Sequence, residues 1–122
     1  FQLALNYFEK TEDWKGYADA VQNDINTNGY KKASTINGCA WAIYEKCDEK
    51  SVVTQATTWM DSLCTQTDEY AYEDTYASLL YKKGDYKKAE EVALHAMDIG
   101  KAAGEDVSAT EALLANIRMK IK

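Results

Sequence analysis

Two apolar stripes of helical period, facing each other across a two-residue bend, constrain this chain most. Tyr72, Tyr76, Leu79, Leu80 and Lys83 recur at steps of three and four; after the bend, so do Tyr86, Ala89, Ala93, Ala96, Met97 and Gly100. Gly84 suits the left-handed conformation that closes a helix, and the Asp85 carboxylate suits the cap of the next one. Small Ala77 and Ala89 stand where two antiparallel helices must approach closely. Such a hairpin leaves an apolar face uncovered, so it has to stack on others.

The rest of the chain supplies them. Phe1, Leu3, Leu5 and Phe8 mark a first helix, and Trp14, Tyr17, Val21 and Ile25 a second that starts after Asp13. Ile36, Ala40, Ile43, Tyr44 and Cys47 mark a third, and Val52, Val53, Ala56, Trp59, Met60 and Leu63 a fourth. Leu113, Leu114, Ile117 and Ile121 define a closing helix, with Ser108 and Glu111 in the spacing of a capping box. The chain contains no proline. The expected fold is therefore all-α: about three antiparallel hairpins over residues 1–122, then a helix covering the open end. Asp13-Trp14-Lys15 matches Asp85-Tyr86-Lys87 at an offset of 72 residues. That is about two periods of a 34-residue unit, and the hairpins resemble tetratricopeptide (TPR) repeats.

A net charge of −6, with lysine pairs such as Lys82-Lys83 and Lys87-Lys88 diluted by nearby acids, argues against binding nucleic acid. No stretch is apolar over a membrane's thickness. Phe1 opens mid-helix, so the chain reads as a piece of a longer one. Cys39, Cys47 and Cys64 are spaced neither as a redox CxxC nor as a zinc motif, and there is only one histidine, His95. No cofactor, metal or catalytic constellation is expected. Burial is expected of Cys39 and Cys64, whereas Cys47, at a bend, is expected to be the most exposed and reactive thiol. Asp68, Glu69, Glu73 and Asp74 lack the loop spacing of a calcium site and read as the acidic start of a helix.

Three longer stretches sharpen the resemblance: residues 5–21, residues 36–62 and residues 74–114. The second carries Asn37, Ala40, Trp41, Tyr44 and Glu45 in the pattern N-x-x-A-W-x-x-Y-E. The third includes Gly104, Glu105, Asp106, Ser108 and Thr110 as G-E-D-x-S-x-T. Together they resemble the C-terminal helical region of thioredoxin-family proteins from Bacteroidetes. The resemblance implies a periplasmic or envelope setting and a non-catalytic helical appendage that contacts a protein or peptide, including the parent's own thioredoxin domain. The alternative it raises is an accessory part of a thiol-disulfide oxidoreductase, with Cys47 as an auxiliary thiol.

By analogy with TPR stacks, the first helix of each hairpin lines a concave face. That places Asn6 and Glu9, then Asn37, Trp41 and Tyr44, then Asp74, Ser78 and Tyr81 on one surface. Aromatic rings beside Asn and Asp suit the grip of an extended peptide. The competing expectation is that Trp41 and Tyr44 are packing residues between hairpins.

Overall fold

The computed structural model describes residues 1–122 as seven α-helices with no strand. They are α1 (Gln2–Lys10), α2 (Trp14–Asn28), α3 (Ala33–Lys46), α4 (Lys50–Gln66), α5 (Tyr70–Lys83), α6 (Tyr86–Ala102) and α7 (Ser108–Ile121). Helices α1–α2, α3–α4 and α5–α6 are hairpins. They stack in sequence order: α2 lies on α3 and α4, α3 and α4 lie on α5, and α5 and α6 carry α7. No helix is long and apolar enough to cross a membrane.

Local chemistry explains several helix ends. Gly84 sits at φ 96° and ψ 8°. Its N–H donates to the Tyr81 carbonyl and that of Asp85 to the Leu80 carbonyl, which satisfies the free carbonyls at the end of α5. Asp13 Oδ1 accepts from the Gly16 N–H at 2.9 Å and caps α2. At α7 the expected capping box does not form. Ser108 is the first helical residue rather than the cap, because Asp106 Oδ1 already takes the Ser108 N–H at 2.9 Å.

One cluster of 26 buried residues runs from Leu5 on α1 to Ile117 on α7, so all three hairpins and the last helix share a core. The expected inward residues of α4, Val52 to Leu63, are all in it. Two polar bonds pin neighbouring hairpins within this apolar setting. Trp59 Nε1 donates to Gln22 Oε1 at 2.8 Å, and the Tyr76 hydroxyl donates to Asp61 Oδ1 at 2.7 Å. Ile121 is the one residue of the expected α7 stripe that stays outside, 39% exposed.

Candidate functional site

Helical spacing puts Asn37, Trp41 and Tyr44 on one side of α3, and Asp74 and Ser78 on consecutive turns of α5. Because α3 packs on α5 and α5 on α7, the three helices wall a groove. One end is a cavity of about 430 Å³ with Asn37, Trp41, Tyr70, Asp74 and Asp106 on its sides. The other, about 200 Å³, is bounded by Trp41, Tyr44, Asp74, Ser78, Leu113 and Asn116. Trp41, Asp74 and Ala109 belong to both, which makes them one continuous depression.

The aromatic pair is neither core nor free surface. Trp41 and Tyr44 are half-buried, their rings 4.9 Å apart and inclined at 33°. At the Tyr44 end Lys82 is held against α3: its Nζ donates to the Tyr44 carbonyl at 2.6 Å, lies 5.7 Å from the ring centre and is 3.4 Å from Asp48 Oδ1. At the other end the Asn37 Oδ1 atom is shut off from water and has no hydrogen-bond donor in the chain.

Between them a relay of hydroxyls converges on Asp74. Thr110, fully buried, donates its single proton to Asp74 Oδ1 at 2.6 Å. The Tyr70 hydroxyl, 2.6 Å from Thr110 Oγ1, must therefore be the donor in that pair. Ser78 spends its own proton on the Asp74 backbone carbonyl at 2.9 Å. Burial pushes the Asp74 carboxyl above its usual range, and the Thr110 bond offsets this only in part.

Five of the six residues expected to contact a partner thus share the groove. Tyr81 does not. It lies beside Tyr86, ring centres 5.8 Å apart, and lines neither cavity. Asn6 and Glu9 are also elsewhere: Asn6 accepts from Gln2, and Glu9 from Lys46 Nζ at 2.6 Å. The sequence reading missed Tyr70, Thr110, Asp106, Leu113 and Asn116. It treated α7 as a cover, although Thr110, Leu113 and Ile117 carry the same helical spacing that marks an inner face.

The expected exposure of Cys47 is corrected by the structure. Its backbone is extended at the end of α3, φ −114° and ψ 128°, and the residue is 1% exposed, with burial raising the thiol. Cys39 is buried as expected, whereas Cys64 is only half-buried. Burial, then the neighbouring Glu73, pushes the Cys64 thiol up. All three are free thiols. In the acidic run, Glu73 turns inward to His95 and Asp74 to Thr110.

No family model, no curated protein and no solved structure matches this chain.

Proposed function

We propose that the chain is a non-catalytic, TPR-like interaction module that holds an extended peptide segment in the groove between α3, α5 and α7. The family resemblance makes it the helical tail of an envelope thioredoxin-like protein, with a partner protein or the parent's own thioredoxin domain supplying the segment.

One observation carries this reading: a half-buried Trp41–Tyr44 pair lines one continuous groove whose wall also holds the Asn37 side chain. A peptide laid along α3 would meet the two rings, which supply apolar contact area, beside the Asn37 amide. The oxidoreductase alternative loses its support, because its thiol, Cys47, is enclosed and held protonated.

The test is a synthetic array of acetylated pentapeptides probed with the fluorescently labelled chain. A discrete subset should be retained, and Asn37→Ala and Trp41→Ala should lose it while keeping the helical circular-dichroism spectrum. An array with no retained peptide, or equal retention by both folded variants, would overturn the proposal.

A further inference from the structure

The groove carries a charge that the chain leaves unanswered. Elsewhere the half-buried or buried acids have basic partners: Lys32 lies 3.0 Å from Asp24, Lys46 2.6 Å from Glu9, Arg118 3.0 Å from Glu90 and the His95 imidazole 2.6 Å from Glu73. Asp74 has only the Thr110 hydroxyl, and no Lys, Arg or His of the chain forms an ion pair with it. Asp106 adds a second carboxylate to the same cavity, and its Oδ1 is taken by the Ser108 N–H. The one lysine at the groove, Lys82, is at the far end and engaged by Asp48 and the Tyr44 carbonyl.

The larger cavity is therefore lined by two carboxylates with no cation on them. Those of Asp74 and Asp106 share it with the Asn37 amide and the Trp41 indole. The protons of Thr110, Tyr70 and Ser78 are committed within the chain. Trp41 adds an indole, the aromatic ring that attracts cations best. A ligand that suits these carboxylates and the indole carries positive charge on an apolar stem.

Resting on the peptide-groove reading above, we propose that the groove selects a lysine or arginine side chain of the bound segment, seated beside Trp41 with its cationic head on Asp74 and Asp106. The stem of either side chain lies along the indole while the head reaches the carboxylates. The α3 wall from Asn37 to Tyr44 is about 10 Å long at 1.5 Å per residue. That matches about three residues of extended peptide at about 3.3 Å each, so one basic side chain is flanked by backbone within reach of Asn37. The hydroxyl relay fixes Asp74 in place for this contact, because Thr110, itself held by the Tyr70 hydroxyl, occupies Asp74 Oδ1 and leaves Oδ2 without a hydrogen bond in the chain.

The experiment uses the pentapeptides retained on the array. Each is resynthesised with its basic position as lysine, arginine, citrulline or norleucine, and its Kd is measured by fluorescence anisotropy. The basic forms should bind about tenfold or more tighter than the neutral ones, as a charge-assisted bond implies. Added salt should narrow that gap. Asp74→Asn, which still accepts from Thr110, should erase the preference between basic and neutral forms. If this variant fails to fold, the citrulline and salt comparisons on the unaltered chain decide alone. Retained peptides that lack a basic residue, or bind equally as norleucine forms yet are lost by Trp41→Ala, overturn the charge selection and leave the groove standing. No retention at all overturns both.

Discussion

His95 Nδ1 lies 2.6 Å from Glu73 Oε1 and joins a largely exposed imidazole on α6 to a carboxylate sealed in α5. The hydrogen bond to Glu73 raises the His95 pKa above its ordinary 6.5, and burial opposes that shift. Asp68 and Asp98 add smaller upward contributions. The pair is the ionic link across the interface of the third hairpin.

Its stabilisation should therefore depend on pH with a definite sign. A raised folded-state pKa means the folded chain holds the proton more tightly than the unfolded one. The contribution is complete below the ordinary His value and is lost as pH rises through the raised one. Melting curves of the unaltered chain and His95→Gln should be furthest apart on the acidic side and converge as pH rises. A gap of constant size across that window would show that the imidazolium contributes nothing.

Ala89 should resist enlargement. Ala77 and Ala89 are both completely buried on facing helices of the third hairpin. Ala89→Leu adds carbons where there is no room, which should cost about 1–3 kcal/mol in chemical denaturation. An unchanged midpoint would mean that α5 and α6 have slack at this level.

Gly100 gives the Tyr70 ring its place. A Cβ at Gly100 would lie 2.5 Å from Val107 Cγ1 and 2.9 Å from Tyr70 Cδ1, so Gly100→Ala must push the ring or the α6–α7 connection outward. The expected cost is again about 1–3 kcal/mol. Tyr70→Phe, which deletes only the hydroxyl that donates to Thr110, should cost about 0.5–1.5 kcal/mol. An unchanged midpoint for Gly100→Ala would refute the steric argument.

These positions also show where a sequence can be read. Gly84-Asp85 and Asp13 were legible because their bonds close within a few residues. Ser108 misled because the same N–H had two local candidates, and Asp106 took it. The Glu73–His95 pair spans 22 residues and two helices, and the Tyr70–Thr110–Asp74 relay joins residues 40 and 36 apart. Periodicity gives each residue a face on its own helix, but not the height at which two faces meet. The same gap explains Tyr81: its spacing from Asp74 and Ser78 put it on their face, yet its ring packs beside Tyr86 of the next helix. Cys47 was misplaced because a bend was equated with exposure, while its extended backbone keeps the residue in the core.

The thiols should be sluggish in the native state. Cys39 and Cys47 are enclosed, and burial raises the pKa of both. Cys64 is more open, but burial and Glu73 keep it protonated. Since the thiolate is the reacting species, mass spectrometry after a short iodoacetamide pulse at neutral pH should find all three unmodified, and all three modified in denaturant. Rapid native labelling of Cys47 would restore the thiol-chemistry reading.

Trp59, Trp41 and Tyr81 should separate stability from binding. Trp59 is 1% exposed and tied to Gln22, so Trp59→Ala should cost about 3–5 kcal/mol, the range for emptying an aromatic site in a core. Trp41 is half-buried at the groove, and Trp41→Ala should cost clearly less while abolishing peptide retention. Tyr81→Ala should do the converse: it removes the ring beside Tyr86 and lowers the melting temperature, but leaves the peptide Kd where it was. Melts and anisotropy titrations on the three variants check all of this at once. If Tyr81→Ala weakens binding as much as Trp41→Ala does, the partner extends along α5 past Ser78, and the groove drawn between α3, α5 and α7 is too short.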